Sequence, residues 1–173
     1  ECMDCDVKRG SIKRNTDEEQ TRNLRYKYYR ELIEKYNTKG VVRGHHEDDV
    51  CENIYNNIMR GGREITDLVV LKKENYLMDV IVYRPLLDFR KKNIYEFSHK
   101  YQVPYFLDTT PTWSCRGKMR NNIFPSCEDC YGENYKKSLL SLGNQGEELG
   151  GIIQKHIINN LCEKVIIDNF NFK

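Results

Sequence analysis

One short segment brings together several side chains that are able to bind a metal ion. It runs Gly-His-His-Glu-Asp-Asp-Val-Cys-Glu over residues 44–52 and follows the apolar run at 41–42. In open parallel sheets, ligands bind outside the carboxyl ends of the strands. If a helix begins near residue 47, a rotation of about 100° per residue places Asp48, Asp49 and Glu52 within one sector of its surface.

The carboxylates of this segment allow two interpretations. Three oxygen donors on one helix face are able to hold Mg²⁺, which prefers oxygen ligands and often bridges to phosphates. Alternatively, acidic side chains complement the N-terminus of a helix and face water. Spacing alone favours the second interpretation, whereas His45 and His46 at the end of a strand favour a binding site.

The seven cysteines form a second group of candidate ligands. Their odd number in an apparently intracellular chain argues against a disulfide framework. Two Cys-x-x-Cys pairs, Cys2/Cys5 and Cys127/Cys130, could together hold Zn²⁺ or an iron–sulfur cluster if the fold brought them together. The long gap between the pairs favours free thiols.

Charge and hydropathy limit the classes of partner. The net charge is only +2, so no global field indicates nucleic acid. Arg116, Lys118 and Arg120 nevertheless form a basic cluster without an intervening acid, which is typical either of solvated surface or of phosphate contact. No apolar run approaches the roughly 20 residues of a membrane-spanning helix. We therefore expect a cytoplasmic protein without a membrane segment.

Alternating elements must position these residues. A helix is predicted from Thr16, with Leu24, Tyr28, Leu32 and Tyr36 as its buried stripe. The further predicted elements are a strand at 41–44, a helix at 47–60, a strand or hairpin arm at 76–83, a helix capped by Asp88, a strand at 103–107, a loop at 108–125, and helices at 135–142 and 147–162 with a glycine hinge at 143–151.

This order of elements predicts an α/β fold with a doubly wound, mainly parallel, Rossmann-like sheet and C-terminal helices. Residues 1–125 are expected to form part of the sheet domain, and residues 126–173 a helical tail packed on it.

Five motifs in order carry a resemblance to a known family. His-His-x-Asp-Asp-x-x-Glu is similar to the HHxDDxxET motif of the tRNA(Ile)-lysidine synthetases, which with the tRNA 2-thiocytidine synthetases are N-type PP-loop ATPases of the adenine nucleotide alpha hydrolase-like fold. The other four matching segments are Arg22–Tyr29, Arg60-Gly61-Gly62, Arg84-Pro85-Leu86-Leu87, and Asp108-Thr109-Thr110-Pro111 with Arg120-Asn121. Together they span most of the chain.

The resemblance implies a chemistry and roles for named residues. Such an enzyme uses ATP and Mg²⁺ to adenylate C2 of an anticodon cytidine in tRNA, and free lysine then displaces AMP. A homodimer is one assembly open to it. The implied catalytic residues are Asp48, Asp49 and Arg84. The implied nucleotide and magnesium ligands are His45, His46 and Glu52, and the implied tRNA contacts are Arg116, Lys118, Arg120 and Asn121.

The chain departs from the family pattern in three places, one of which is the segment from Asp108 to Arg120, about two residues longer than the family's and without the Asn expected after Thr110. The SGGxDS loop that cradles pyrophosphate does not occur in the sequence and is expected upstream of Glu1, and Asn53 stands where the family has Thr. Two alternatives stay open at this point. One is tRNA thiolation, suggested by the Cys-x-x-Cys pairs, and the other is a non-catalytic RNA-binding relative that keeps only the fold.

Overall fold

The computed structural model describes residues 11–61, 63–106, 110–164, 167–168 and 171–172. Its helices are α1 (Ser11–Tyr36), α2 (Glu47–Arg60), α3 (Lys91–Tyr101), α4 (Cys115–Lys118), α5 (Phe124–Tyr131), α6 (Asn134–Ile153) and α7 (Asn159–Lys164). Short 3-10 and π segments lie at Ile65–Asp67, Met119–Ile123 and Gln154–Ile158. The strands are β1 (Val41–Val42), β2 (Glu74–Leu77), β3 (Val80–Tyr83), β4 (Ile167–Asp168) and β5 (Asn171–Phe172).

The described residues fall into two compact units. The first holds those up to Arg43 together with Lys73–Arg84, and the second holds Gly44–Lys72 and those from Pro85 onward. The predicted boundary at residues 125 and 126 stays a prediction. Among the helices in the described part of the chain, none is long and apolar enough to cross a membrane.

The first unit is a small mixed sheet covered by α1. Strand β3 lies in the middle, parallel to β1 and antiparallel to β2, with Val41 opposite Val82. The hairpin between β2 and β3 turns through Met78 and Asp79, both with positive φ, as a two-residue hairpin turn requires. The first unit therefore combines a helix with a mixed sheet. The doubly wound, mainly parallel sheet stays a prediction.

The buried face of α1 differs from the predicted stripe. The four predicted residues are each about half exposed or more, from 48% for Leu32 to 63% for Tyr36. Tyr26 is buried instead and packs with Tyr29 and Ile33 against the sheet. A spacing of four residues rotates by about 40° per step around a helix of 3.6 residues per turn, whereas alternating steps of three and four stay on one face. The predicted stripe was wrong because its period was too long.

In the second unit, α2 packs against α6 around Val50, Ile54 and Leu87. The close approach depends on two glycines of α6. A Cβ on Gly143 would lie 2.7 Å from Val69 Cγ2, and one on Gly146 would lie 2.0 Å from the carbonyl oxygen of Ile65. The predicted hinge at 143–151 is therefore wrong, because α6 continues through these glycines, which are packing positions.

Other predicted boundaries also moved. The helix at 47–60 is confirmed, whereas α1 is described from Ser11 and not from Thr16. Helix α3 is capped at Arg90 rather than Asp88. Residues 103–106 form no strand, and Leu107 to Thr109 lie outside the described residues. The predicted loop at 108–125 contains α4, a π segment and the start of α5.

Candidate functional site

The N-terminus of α2 forms the base of the site. His46 is the N-cap, with extended backbone at φ −129° and ψ 177°, and its backbone N–H donates to Asp49 Oδ2 at 3.0 Å. The first turn holds Glu47, Asp48 and Asp49, whose negative charges complement the helix dipole. The imidazole of His46 lies 3.4 Å from Asp49 Oδ2 and 3.8 Å from Asp48 Oδ2. The local sequence therefore both starts the helix and collects its polar side chains.

Asp48 is held from two sides. Lys136 Nζ on α6 donates to its Oδ1 at 2.8 Å, and the backbone N–H of Lys91 at the start of α3 donates to its Oδ2 at 2.8 Å. Burial alone raises the pKa of Asp48, but these hydrogen bonds and the charge of Lys136 outweigh it and hold the pKa below its ordinary value. Burial also opposes the charge of Lys136, yet the bond to Asp48 raises the pKa of this amine. Both groups are therefore ionised at neutral pH.

Asp49 and Glu52 face a common partner. Both are buried, at 7% and 4% exposure, and Arg120 lies between them. Arg120 Nη2 is 3.1 Å from Asp49 Oδ1 and 3.1 Å from Glu52 Oε2, and its Nε donates to Glu52 Oε1. Arg120 Nη1 also donates to the hydroxyl of Thr110 at 3.3 Å. The guanidinium thus binds two buried carboxylates, as a planar fork of donors is suited to do, and its single positive charge leaves the group with one net negative charge.

These pairings decide how the site fits Mg²⁺. Among the described residues, no three or more His, Cys, Asp or Glu side chains form a group that could hold a metal ion. Lys136 takes the carboxylate of Asp48, and Arg120 occupies the position between Asp49 and Glu52 where a cation would bind. The side chains as placed do not fit a Mg²⁺ held by all three carboxylates, and the magnesium ligands named from the sequence stay a prediction.

Two further ion pairs, both made by Arg90, lie at the same end of α2. Arg90 Nε donates to Glu47 Oε1 at 3.0 Å, and Arg90 Nη1 donates to Glu133 Oε2 at 2.8 Å. These two hydrogen bonds raise the pKa of Arg90. These two ion pairs connect the first turn of α2 to the beginnings of α3 and α6.

A cavity of about 720 Å³ opens beside this network. That volume is within the range of small-molecule sites. Helix α2 contributes Glu52 to its lining, and α3 contributes Lys92, Tyr95 and His99. Arg120 and Asn121 form another part of the wall. The lining therefore combines carboxylates, cationic groups and an aromatic ring, which suits a polar ligand that carries charge.

The structure brings together some of the predicted site residues. The cavity is lined by five of them: His46, Asp48, Glu52, Arg120 and Asn121. Asp49 is not in the lining but contacts Arg120. His45 precedes the helix, outside the lining. Arg116 and Lys118 are exposed on α4 and do not line the cavity.

Arg84 belongs to the first unit. Its side chain is 2% exposed, and Nη1 donates to Asn75 Oδ1 at 2.7 Å. Burial and the charge of Arg43 lower the pKa of its guanidinium. These contacts match an interior role for Arg84, and a catalytic role stays a prediction.

The candidate cysteine ligands are only partly described. Cys127 and Cys130 lie three residues apart on α5 and are free thiols, while Cys2 and Cys5 lie outside the described residues. Buried Cys51 donates weakly to the carbonyl oxygen of Lys136 at 3.9 Å. Burial, with the nearby charges of Asp48 and Glu47, raises the pKa of Cys51 to about 12.

Several residues of the site carry no signal in the sequence. Lys136 is 88 positions from Asp48, and Arg90 is 43 positions from both Glu47 and Glu133. Pairs this far apart follow no helical or strand period, so only the fold reveals them. The sequence feature that comes closest is the run of acids at a predicted helix start, which indicates that Asp48 would pair with a cation if the fold buries it.

Comparison with known proteins defines the class. Residues 1–127 match the family model described as PP-loop domain. Because this match covers most of the chain, the chain belongs to the PP-loop domain family.

Particular relatives are named tRNA(Ile)-lysidine synthase. The protein of that name from Chlamydia trachomatis serovar L2 is 33% identical over 137 residues, which are 76% of this chain and 41% of the relative. That from Chlamydia pneumoniae is 28% identical over 140 residues, covering 80% of this chain and 44% of the relative. That from Chlamydia muridarum is 28% identical over 150 residues, covering 86% and 46%. The chain thus spans less than half the length of these relatives.

Proposed function

We propose that this chain is part of an enzyme that uses ATP to adenylate an anticodon cytidine of tRNA and then attaches lysine to it. One observation carries the proposal. In a chain that is 33% identical to a tRNA(Ile)-lysidine synthase, the motif residues His46 and Glu52 meet Arg120 and Asn121 at one cavity. The motif and the distant Arg-Asn pair lie far apart in the sequence, and their convergence supports a shared role.

The proposed reaction has two steps. The oxygen on C2 of cytidine attacks the α-phosphorus of ATP, and pyrophosphate leaves. The amino nitrogen of lysine then attacks C2, loses a proton, and AMP departs with the former cytidine oxygen. Magnesium accompanies ATP as part of the substrate complex, since the three carboxylates are paired with Lys136 and Arg120.

The chain's own groups have separate tasks in this proposal. Asp49 and Glu52 present negative charge beside the cavity, which suits the ammonium group of an amino acid. Arg120 holds both carboxylates in place, and its fork is also able to bind phosphate oxygens. Arg116 and Lys118, exposed on α4, are proposed to contact the tRNA backbone, where such contacts weaken steeply with salt.

The proposal extends to the fold of the family. We assign to the full-length protein the doubly wound, mainly parallel sheet of the adenine nucleotide alpha hydrolase type, to which the parallel pair β1 and β3 belongs. A cytoplasmic location and a catalytic contribution from Arg84 are parts of the same proposal.

The test measures AMP formation by the full-length protein from ATP labelled at the α-phosphate. AMP is expected only when tRNA and lysine are both present, and the nucleosides of the recovered tRNA should contain lysidine. AMP formation that requires a sulfur donor in place of lysine would support the thiolation alternative. Salt-sensitive tRNA binding without any AMP would contradict catalysis and support a non-catalytic RNA-binding relative.

A further inference from the structure

Two groups of side chains hold the first turn of α2 in place. Arg90 joins Glu47 to Glu133 through hydrogen bonds of 3.0 and 2.8 Å. Asp48 is joined to Lys136 and to the backbone N–H of Lys91, each at 2.8 Å. Both groups reach the same two neighbours, the starts of α3 and α6. The turn that carries the motif is therefore fixed by elements that follow it in sequence.

The contacts of Asp48 distinguish it from the other motif carboxylates. Its Oδ1 accepts from Lys136, and its Oδ2 accepts from the Lys91 amide and lies 3.8 Å from His46 Nδ1. Both oxygens thus have partners within the protein. Its side chain is 18% exposed and that of Lys136 is 21% exposed, so the pair is largely shielded from water.

We propose that Lys136 is a positioning residue, and that Asp48 is the anchor through which Lys136 and α3 set the orientation of Asp49 and Glu52 at the cavity. The inference rests on the proposed function. It also assigns a role to helix α6, which lies beyond residues 1–127 matched by the family model. Asp48 lines the cavity, but both of its oxygens are bound by protein donors, so it acts through its neighbours.

The helix geometry gives the physical reason. Asp48 and Asp49 are consecutive residues in the first turn, and Glu52 lies one turn further along. Loss of the Lys136 contact leaves Asp48 charged and only partly solvated, so the turn must move to bring that carboxylate to water. A displacement of about 1 Å at reacting groups is able to reduce a rate by about 100-fold.

The test compares variants of the full-length protein in the AMP-forming reaction. Lys136→Met is expected to lower kcat by roughly 10- to 100-fold while the KM for tRNA changes less than about twofold. Lys136→Arg, which keeps the charge and the donor, is expected to restore most of kcat. Lys137→Met on the exposed neighbouring position is the matched control and should match wild type.

A double variant separates positioning from direct catalysis. In Asp48→Asn/Lys136→Met neither partner keeps a charge, so we expect a higher kcat than in either single variant. A double variant no more active than Asp48→Asn would overturn the inference, because it would place Asp48 in contact with the substrate. Wild-type kcat in Lys136→Met would overturn it as well.

The proposed function and this inference fail in different ways. Wild-type protein that forms no AMP contradicts both. AMP formation by wild type with no effect of Lys136→Met contradicts the positioning role alone. Thermal unfolding of wild type, Lys136→Met, Asp48→Asn and the double variant shows whether the pair forms, since the effects of the two single changes on the melting temperature should then be non-additive.

Discussion

Replacing Arg120 with Met tests the core of the site. The change keeps an apolar stem of similar reach and removes the guanidinium between Asp49 and Glu52. Asp49 keeps one donor, the backbone N–H of His46 at 3.0 Å. Glu52, at 4% exposure, loses both hydrogen bonds that Arg120 provides. The variant therefore removes the cation from two buried carboxylates, and Glu52 loses more hydrogen bonds than Asp49.

The size of the effect follows from that burial. Removing one partner of a fully buried ion pair costs about 3–5 kcal/mol of unfolding free energy. The side chain of Arg120 is 23% exposed, so water reaches part of the site and the expected loss is about 2–3 kcal/mol. For a protein of this size, each kcal/mol lowers the melting temperature by roughly 2–4 °C. We therefore expect a fall of roughly 5–10 °C.

Denaturant unfolding followed by circular dichroism measures this loss. Arg116→Met is the matched control, since Arg116 is exposed on the neighbouring α4, and should change stability by less than about 0.5 kcal/mol. The double variant Arg120→Met/Glu52→Gln removes the orphaned charge and should recover more than half of the loss. Equal stability of Arg120→Met and Arg116→Met would refute the stabilising contact of Arg120 with Asp49 and Glu52.

Three further predictions follow from other contacts. The folded-state pKa of Asp48 is depressed. Its stabilising contribution is therefore present above its unfolded pKa of about 3.9 and is lost as pH falls through the lower folded value. In unfolding titrations, the stability difference between wild type and Asp48→Asn should shrink below about pH 4. Cys51, with its pKa of about 12, should resist iodoacetamide at pH 8 while exposed Cys115 is labelled, and equal labelling by peptide mass spectrometry would contradict this burial. Gly146→Ala should cost about 1–3 kcal/mol by overpacking, whereas Gly151→Ala, with open space around its Cβ, should stabilise α6 by up to about 1 kcal/mol; a stabilised Gly146→Ala would contradict the close approach to Ile65.

Local signals explain which parts of the fold could be predicted. Helix α2 has acids in its first turn and Gly61 at its C-cap with φ 66°. These are start and stop signals whose physics is contained within a few residues. The predicted helix at 47–60 therefore matches the structure, and the motif residues are placed on it as expected.

Non-local contacts explain the parts that could not be predicted. Four glycines at 143–151 indicate a hinge by local propensity, yet Gly143 and Gly146 fit against residues more than 70 positions earlier in the chain. Packing overrides propensity at such positions. In the same way, the partners of Asp48 and Glu52 come from α6 and from the π segment at Met119–Ile123. A helical wheel places three carboxylates on one face, but it does not show which cations neutralise them.

The most direct test of the central claim is AMP formation by the full-length protein carrying Glu52→Gln, with tRNA and lysine present. The change keeps the shape of the side chain and removes the charge that faces the cavity beside Arg120. Glu163→Gln, at an exposed position of α7, is the matched control. We predict a loss of about 100-fold in kcat/KM for Glu52→Gln and none for the control. Wild-type kcat/KM in Glu52→Gln would contradict the assignment of this cavity as the reaction site.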